Sequence, residues 1–553
     1  MAALMLAIML GASPAVYWTD GTLRVPGLME IDRRHDPAYT PTGPLAGTRG
    51  HEPGDTINFW SIDYSEAIPR FYLTPATCRY VGYHTYIFVE DSQWDVHYDQ
   101  DAVSAFAAAL ETETPSGPGG IVEKDIDVFG QPPDAIDDDP KVYFLVLDIR
   151  DGFDPQQGGA YIAGFFSPYN QFTETEAYLY YGGHSNEVEM LYIDCFPADQ
   201  YDAAYTASHE FVHLIQWGIG PFSSEELWVI ENQAQSGTFV CGFPAFQVET
   251  FLEVGGITPI KWTNLTDDIE YVAGYGAGYL FFSYLWENYG GDDFLHRSLR
   301  VSDRGISGIS QAIRDVTGQT PDMDQVLADW MLACWIDDPD FGNGIYGWDS
   351  FRISDYDTVS PGNRPGLDYS FVIESDPFQH IGGSMSSYQG SYCTVDEGLS
   401  GSFRADGTGL GDMRAYLFDH DEGLLRTLDT GSANDVAVPL PETADILLMC
   451  SSFSGLDLDV SAGSVVSAPG QFALYPQPCP GTLYIQIWSS GGDAELSVFT
   501  LDGGYVETVE FPSVGSGEAT LAYPGASELS SGAYFFRFSQ GGRVETGSFA
   551  VVR

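Results

Sequence analysis

Two histidines four residues apart constrain what this chain can fold into more than any other feature. They lie in the stretch HEFVHLIQW as His209 and His213, with Glu210 directly after the first. On an α-helix, residues i and i+4 share one face, so the two imidazoles can bind the same metal ion. Glu210 would then lie beside that ion, where a carboxylate can take a proton from a bound water. The pattern also arises by chance on surface helices, so a metal site needs further support from the chain.

A catalytic zinc site needs a third protein ligand and one open position for water. In one arrangement a His or Asp follows the second histidine closely, after a glycine turn, but Gln216 and Ile219 occupy those positions here. In the other arrangement the ligand is a Glu from the next helix, and Glu231 lies eighteen residues after the second histidine. Two acidic rivals, Glu225 and Glu226, are better suited to the first turn of that helix, where the helix dipole favours negative charge.

Three segments, SNEVEMLYID, HEFVHLIQW and ELWVIENQAQ, together resemble the hyicolysin family of secreted neutral metallopeptidases, within the gluzincin (thermolysin-like) class. The resemblance covers roughly residues 60–340 and extends to the acidic loop before KVYFLVLDI and to the stretch YIAGFF. It implies a zinc ion bound by His209, His213 and Glu231. It also implies that Glu210 is the general base of a peptidase.

The resemblance leaves two questions at the site. The residue after the third ligand is usually Gly in this family, whereas here it is Asn232. A donor must also stabilise the oxyanion, and gluzincins commonly use a Tyr or His from the aromatic-rich helix that follows the site. In the stretch YVAGYGAGYLFFSYLWENY, Tyr275 and Tyr279 are the candidates, with core packing as the alternative for each. His184 and His296 are nearby, and we expect both to be surface or hydrogen-bonded histidines.

The periodicity of the same region predicts an α+β domain over residues 61–344. Its parts would be a mixed sheet, the active-site helix and a helical C-terminal subdomain. The resemblance implies that together they make a zincin fold. Helical patterns at residues 277–289, 305–316 and 322–336 predict the subdomain. The strand at residues 187–194, directly before the active-site helix, is a candidate edge strand that would pair with an extended peptide substrate. An ordinary core strand is the alternative.

The strongly acidic composition limits the partners of this chain. A formal net charge of −57, from 79 acidic and 22 basic residues, repels nucleic acid and anionic membranes. We expect most of this charge to be solvated surface. The acidic loop at residues 134–139, together with Asp148, Asp151 and Asp154 after the next strand, can hold Ca²⁺, although a solvated loop is the favoured interpretation.

The N-terminal residues predict export. An apolar run followed by small residues is typical of a signal peptide, which we place at residues 1–15. Residues 16–60 have little periodicity and are expected to be a pro-segment or an N-terminal arm. No other stretch is long and apolar enough for a transmembrane helix.

Past residue 344 the chain becomes rich in Gly, Ser and Asp, with short β-type runs. We expect a β-rich domain at residues 345–460, a linker at residues 461–471 and an Ig-like β-sandwich at residues 472–553. The last segment contains LYPQP and GAYFFRF, and it resembles the C-terminal sorting domain of type IX secretion substrates, which implies contact with secretion machinery. A generic β-sandwich accessory domain is the alternative. Cys393 and Cys450 are the best candidates for a disulfide.

These observations predict an exported zinc endopeptidase that acts as a monomer on protein or peptide substrates, secreted or held at the cell surface. One alternative is an inactive surface protein, adhesive or structural, although a dead domain need not keep all four metal-site residues. The other is a zinc aminopeptidase. That enzyme would need an acidic anchor for the substrate N-terminus, and the sequence has no clear loop of that type.

Overall fold

The computed structural model of this 553-residue chain divides into two compact units, Met1–Gly366 and Leu367–Arg553. The predicted signal peptide at residues 1–15 and residues 32–49 of the predicted arm lie outside the described residues. The structure describes residues 16–28, 31, 50–198, 200–254, 258–260, 268–356, 371–373, 379–385, 388–395, 401–409, 411–419, 423–430, 434–440, 444–450, 456–463, 472–475, 479, 481–501 and 503–552.

A seven-stranded mixed sheet is the centre of the first unit, and a two-stranded hairpin (β5 and β6) lies outside it. The strands are β1 (Val16–Asp20), β2 (Thr56–Asp63), β3 (Arg70–Val81), β4 (Thr85–Glu90), β5 (Glu113–Thr114), β6 (Gly117–Pro118), β7 (Val142–Leu147), β8 (Gly159–Phe166) and β9 (Met190–Asp194). Across the large sheet their order is β1-β8-β9-β7-β4-β3-β2. β4, β7 and β9 pair in parallel, and β8 runs antiparallel to β9.

Helices follow and flank this sheet. The described helices are α1 (Gln100–Glu111), α2 (Ile121–Phe129), α3 (Gln200–Ile219), α4 (Leu227–Val240), α5 (Gln247–Val254), α6 (Asp268–Tyr289), α7 (Asp292–Ser298), α8 (Gly305–Thr317) and α9 (Met323–Ile336), besides a single turn at Glu174–Glu176. The active-site helix and the three helices expected after it are therefore present, within a few residues of the predicted bounds, except that α6 begins nine residues earlier. Among the described residues, no helix has both the length and the apolar composition needed to cross a bilayer.

The strand β7 explains where the core of this unit lies. Every residue from Val142 to Leu147 is buried. A continuous apolar run of this kind suits a parallel strand covered on both faces, rather than a strand with one wet face. β7 accordingly pairs in parallel with β4 on one side and β9 on the other.

The strand before the active-site helix is not at the edge of the sheet, so the prediction that residues 187–194 form an edge strand is wrong. β9 lies between β7 and β8, and all five of its residues are buried. The strand beyond it is β8, and the N-terminal strand β1 covers the other side of β8 in parallel register, from Val16 opposite Gly159. Part of the predicted N-terminal arm is thus a strand of the main sheet.

A glycine allows helices α3 and α4 to approach each other closely. A Cβ atom on Gly237 would overlap the carbonyl oxygen of Ser208 and would lie 2.8 Å from Cγ2 of Val212, both on α3. Contacts under about 3 Å between such atoms require the backbone to move. Gly237 therefore sets the distance between the helix that carries the two histidines and the helix that carries Glu231.

The second unit is built of strands. They are β10 (Phe371–Ile373), β11 (Gln379–Met385), β12 (Gly390–Val395), β13 (Gly401–Gly409), β14 (Met413–Asp419), β15 (Leu424–Leu428), β16 (Asp435–Leu440), β17 (Ala444–Cys450), β18 (Leu456–Gly463), β19 (Phe472–Tyr475), β20 (Leu483–Thr500), β21 (Tyr505–Tyr523), β22 (Gly532–Gln540) and β23 (Arg543–Val551). They form sheets of five, four and five strands, and the last sheet, β19 to β23, encloses its own apolar cluster around Leu496 and Phe538. The chain is therefore multidomain, with a mixed α and β unit followed by a second unit whose described residues are mainly strands, with a short 3-10 turn at Pro524–Glu528.

Two details of this unit differ from expectation. β18 continues to Gly463, so a strand occupies the first three residues of the predicted linker, and residues 464–471 lie outside the described part of the chain. In the pairing of β12 with β17, Cys393 faces Ile446 rather than Cys450. Ile446 and Cys450 are four residues apart along β17, which is roughly 13 Å. The distance from Cys393 to Cys450 therefore exceeds the 7 Å limit between the Cα atoms of a disulfide. The predicted pairing of the two cysteines is therefore wrong in this register.

Replacing Gly237 by Ala should destabilise the first unit and loosen the metal site. Alanine has the better helix propensity by about 1 kcal/mol, but overlap with the Ser208 carbonyl costs more, so we expect a net loss of about 1–3 kcal/mol in unfolding free energy. Thermal unfolding and zinc affinity would measure both effects. Gly220→Ala is the matched control, because the nearest atom to its new Cβ is Oγ of Ser224 at 3.9 Å. Equal effects of the two substitutions would contradict the packing argument.

Candidate metal centre

Helices α3 and α4 bring the three predicted zinc ligands together. His209 and His213 lie on one face of α3, and their Nε2 atoms are 3.1 Å apart. Oε2 of Glu231, from α4, lies 3.5 Å from Nε2 of His209 and 3.8 Å from Nε2 of His213. All three side chains are fully buried. The three ligand atoms therefore converge on one point in the interior.

A fourth ligand atom, a carboxylate oxygen, comes from the N-terminal segment. Asp20, the last residue of β1, places Oδ2 3.7 Å from Nε2 of His213. One ligand atom from each of the four residues lies within 4.8 Å of the other three. In a tetrahedron with bonds of about 2.0–2.1 Å, ligand atoms are roughly 3.3–3.4 Å apart. The spacing of this cluster is close to that geometry.

The oxygens of the cluster also fit a cation chemically. Within the described structure, Oδ2 of Asp20 and both carboxylate oxygens of Glu231 are buried and accept no hydrogen bond. A buried acceptor without a donor is costly, more so when it is charged. Two imidazoles with carboxylate oxygens are a donor set that zinc accepts. The residues present therefore fit a zinc ion.

Two glutamines fix the orientation of the imidazoles. Oε1 of Gln235 lies 2.9 Å from Nδ1 of His209, and Oε1 of Gln216 lies 2.7 Å from Nδ1 of His213. An amide oxygen only accepts, so each Nδ1 carries the proton and each Nε2 keeps its lone pair toward the cluster. Nε2 of Gln216 donates in turn to the carbonyl oxygen of Ile230 on α4. The arrangement is the outer-shell support that metal-binding histidines need.

Burial sets the charge states of these groups. It lowers the pKa of His209 to about 4, against the opposing effect of Asp20. Burial also lowers the pKa of His213, while Glu231 opposes it. In the other direction, burial and then the neighbouring Asp20 raise the pKa of Glu231 to about 8. The imidazoles are therefore neutral, as metal ligands must be, and the carboxylates lack a compensating positive charge.

Glu210 lies beside the cluster and is held by the N-terminal segment. Its Oε2 accepts a 2.9 Å hydrogen bond from the Thr22 hydroxyl, while Oε1 is buried without a partner in the described residues. Burial raises the pKa of Glu210 well above its usual value, and Asp20 raises it further. The side chain also borders β8, where a Cβ on Gly164 would lie 3.3 Å from Cγ of Glu210.

The two tyrosine candidates lie in different places. The Tyr275 ring is edge-on to His209, with 5.9 Å between ring centroids, and burial followed by Glu231 raises the pKa of its hydroxyl. Tyr279 instead donates from its hydroxyl to the carbonyl oxygen of Phe243 and lines a separate cavity of about 610 Å³. Tyr275 therefore lies at the site. Tyr279 lies away from it, and its hydroxyl is bound to a backbone carbonyl there.

The other residues considered near the site have partners away from it. Nδ1 of His184 lies 2.7 Å from Oε1 of Glu174, and Nδ1 of His296 lies 3.1 Å from the carbonyl oxygen of Val128. The rival Glu225 accepts a 2.7 Å hydrogen bond from the Gly305 amide, and Glu226 accepts one from Nε1 of Trp228. The structure places none of these four candidates in the metal cluster.

Asn232, the departure from the family pattern, packs rather than coordinates. Its Nδ2 donates a 3.0 Å hydrogen bond to the carbonyl oxygen of Pro259. A Cβ on Gly278 of α6 would overlap the Asn232 side chain. The larger residue is therefore accommodated because α6 has a glycine facing it.

Five residues at the site were missed from sequence. Helical spacing in the sequence could have identified two of them, but no local sequence pattern points to the other three. Gln216 lies three residues after the second histidine and Gln235 four residues after the third ligand, so helical spacing places each on the correct face. Asp20 and Thr22 have no local signal, because they arrive through pairing of strands far apart in sequence. Tyr64 is similar: its hydroxyl is buried, and Asp20 adds to the effect of burial in raising its pKa.

The chain has distant similarity to a known metalloprotease. It is 27% identical over 184 residues to "Neutral metalloprotease ShpI" of Staphylococcus hyicus. The match covers 28% of this chain and 37% of the length of that relative. No protein-family model matches the chain. The similarity supports a metalloprotease relationship in part of the chain.

Several solved structures match parts of the chain at low TM-scores. They include the β-glucuronidase of Parabacteroides merdae (TM-score 0.12, 10% identity, 30% of this chain and 27% of that chain). The β-glucuronidase of Faecalibacterium prausnitzii is another (TM-score 0.13, 12% identity, 30% and 38%). A third is the extracellular region of zebrafish Gpr126/Adgrg6 (TM-score 0.13, 10% identity, 32% and 31%). TM-scores this low carry no functional inference.

Replacing Gln235 by Ala should weaken zinc binding about 10- to 100-fold, because the His209 imidazole loses the acceptor that fixes its tautomer. Competition with a chromophoric chelator would measure the affinity. Gln319→Ala, at an exposed position, should leave it unchanged. An unaltered affinity in the Gln235 variant would show that the imidazole needs no such support.

Proposed function

We propose that this chain is a zinc-dependent endopeptidase. The observation that carries the proposal is the convergence of His209, His213 and Glu231 on one buried point, with Glu210 directly beside it. The similarity to a neutral metalloprotease supports the same reaction class. His209, His213 and Glu231 would hold the ion, and their neutral or anionic donors suit a divalent metal.

A bound zinc would supply a Lewis acid that lowers the pKa of a water and polarises the scissile carbonyl. Glu210 would accept the proton of that water and then deliver it to the leaving amine. Gln216 and Gln235 would keep the imidazoles in one tautomer throughout.

We assign stabilisation of the oxyanion to a tyrosine hydroxyl. Tyr275 is the first candidate, since its ring contacts His209 edge-on and the nearby Glu231 adds to burial in raising the pKa of its hydroxyl. Tyr64 is the second, because its buried hydroxyl has no hydrogen-bond partner among the described residues and lies in the field of Asp20 and Glu210. Both hydroxyls stay protonated, since burial raises their pKa values, and so both can donate.

We propose that extended substrates bind along the side of β8 that faces away from β9, which β1 occupies in this structure. This strand passes beside Glu210 at Gly164, so a peptide added to its edge would bring a carbonyl group close to the general base. Binding through the backbone suits an endopeptidase, because it needs no substrate terminus. A zinc aminopeptidase would instead need an acidic anchor for an amine.

We infer that residues 16–28 belong to a pro-segment that blocks this cleft. β1 occupies that side of β8, and the Gly21 amide donates to the Gly164 carbonyl at 2.9 Å. Asp20 lies at the fourth position around the metal point, and Thr22 donates to Glu210. The segment thus lies where the substrate strand would pair, fills the position of the metal-bound water and holds the general base in a hydrogen bond. Cleavage of this segment would therefore be needed for full activity.

The Trp18 side chain anchors this segment. It is 1% exposed, and its Nε1 donates a 2.9 Å hydrogen bond to Oγ1 of Thr206 on α3. Its ring is edge-on to His209 and to Tyr275, at 5.3 and 5.0 Å between centroids. A large aromatic side chain buried against the active-site helix accounts for the stability of the blocked form.

We propose that the protein is exported, with the last strands, β19 to β23, as the sorting module. The supporting observations are the apolar N-terminal run and the LYPQP and GAYFFRF motifs of the sequence. Such a module would contact secretion machinery, and the mature protein would be a secreted or surface-held monomer. An inactive adhesive or structural protein is the rival from another class, and zinc content with peptidase activity separates the two.

Replacing Glu210 by Gln should lower peptidase activity by about 10²- to 10⁴-fold while zinc content stays near one per chain, because the amide cannot accept the proton. Casein hydrolysis with and without chelator, beside metal analysis, would measure both quantities. His213→Ala should lose zinc and activity together, whereas Glu225→Gln, which alters the rival acid, should keep both. Full activity in a folded Glu210 variant would contradict the proposed mechanism.

Replacing Asp20 by Asn should raise the activity of the uncleaved chain about tenfold or more, since an amide is a poor zinc ligand and leaves the fourth position to water. Casein hydrolysis would be followed beside the intact mass, to show that the N-terminus is retained, and the zinc content. Asp101→Asn, at an exposed helix start, is the charge-matched control. Loss of zinc and activity together in the Asp20 variant would instead make Asp20 a working ligand.

A further inference from the structure

A second group of buried carboxylates lies away from the histidines. Asp134, Asp137 and Glu189 each offer an oxygen atom within 4.8 Å of the other two. The two aspartates precede β7, and Glu189 precedes β9. Because β7 and β9 are parallel neighbours, their N-terminal ends meet, and the Tyr143 amide donates to the Glu189 carbonyl at 2.8 Å.

The Glu189 side chain points to a missing partner in this group. It is 2% exposed, and neither of its carboxylate oxygens accepts a hydrogen bond within the described structure. Ionised carboxylates buried without a donor or a counter-charge are costly. Either a proton shared with the neighbouring Asp137 or a bound cation must therefore balance the charge at this position.

The neighbouring groups shape the cluster without neutralising it. Asp137 accepts a 3.0 Å hydrogen bond from the Asp139 amide, and Asp139 is itself engaged by the Tyr86 hydroxyl at 2.9 Å. The basic residue nearest in sequence is Lys141, and its ammonium group donates to the carbonyl oxygens of Gly82 and Tyr83. The loop is thus held in shape by its own hydrogen bonds, with the three carboxylates left facing one another.

The pKa shifts follow from this arrangement. Burial and then Asp137 raise the pKa of Glu189 to about 9. Burial also raises the pKa of Asp137 to about 6, against the hydrogen bond from the Asp139 amide. A cation would allow all three groups to ionise at neutral pH, whereas without one at least one group holds a proton.

We propose that Asp134, Asp137 and Glu189 bind one calcium ion, which joins the N-terminal ends of β7 and β9. The donors are all carboxylate oxygens, which hard cations prefer, and no histidine or cysteine belongs to the cluster. Asp134 is exposed, so water can complete the six to eight ligands that calcium takes. Magnesium would need near-ideal octahedral geometry, which two loop aspartates and one buried glutamate do not impose.

The test uses the full chain with its zinc retained and its calcium removed. Calcium should bind with a stoichiometry of one by titration calorimetry and should raise the thermal unfolding midpoint, with magnesium needing at least about tenfold higher concentration. Glu189→Gln should fold, because glutamine resembles the protonated acid, and should weaken calcium binding more than about tenfold.

Asp138→Asn is the matched control. Asp138 is exposed, lies in the same loop and already has a left-handed backbone (φ 58°) that asparagine tolerates, so this variant should keep the full calcium response. A wild-type chain without a calcium-dependent shift would overturn the proposal and leave a shared proton as the stabilising partner. An unchanged calcium affinity in the Glu189 variant, or equal affinity for magnesium, would overturn it as well. None of these outcomes depends on peptidase activity.

Discussion

Three buried carboxylates, those of Asp20, Glu210 and Glu231, surround the imidazoles of two histidines. Burial keeps both imidazoles neutral, because it lowers their pKa values. Like charges at these distances cannot all be ionised in a dry interior without a cation. The raised pKa of Glu231 reflects this repulsion and the effect of burial. Without a cation, its carboxyl takes up a proton near neutral pH. A cation at this point would balance the buried carboxylates that α3, α4 and β1 bring together, and its binding would contribute directly to the stability of the unit.

The sheet explains why the groups meet at all. The parallel strands β4, β7 and β9 are buried on both faces and fix a rigid centre, and α3 begins six residues after β9 ends. The active-site helix is thus anchored at its start by the most buried part of the fold. Gly237 then lets α4 approach α3 closely enough for a glutamate side chain to reach the histidines.

Local periodicity predicted much of this arrangement, and non-local pairing accounts for what it missed. The common face of His209 and His213 follows from 3.6 residues per turn. Glu231, on the next helix, is expected as the third ligand from the resemblance to the metallopeptidase family. The edge strand could not be identified from sequence, since the order of β8 and β9 in a sheet is a tertiary property. Asp20 likewise reaches the cluster only because β1 pairs with a strand about 140 residues later, and the cysteine prediction failed on strand register for the same reason.

The division of ligands between elements has a consequence for how such a site could be controlled. The three predicted ligands come from α3 and α4, which Gln216 ties together through the Ile230 carbonyl. The fourth candidate ligand atom is Oδ2 of Asp20, on a strand at the edge of the sheet, which can leave without breaking any hydrogen bond between β7, β8 and β9. In the function that we propose, removing that strand would open one coordination position and the substrate-binding edge of β8 in a single step. A ligand built into α3 or α4 could not be released in this way, because its loss would disturb the helix pair itself.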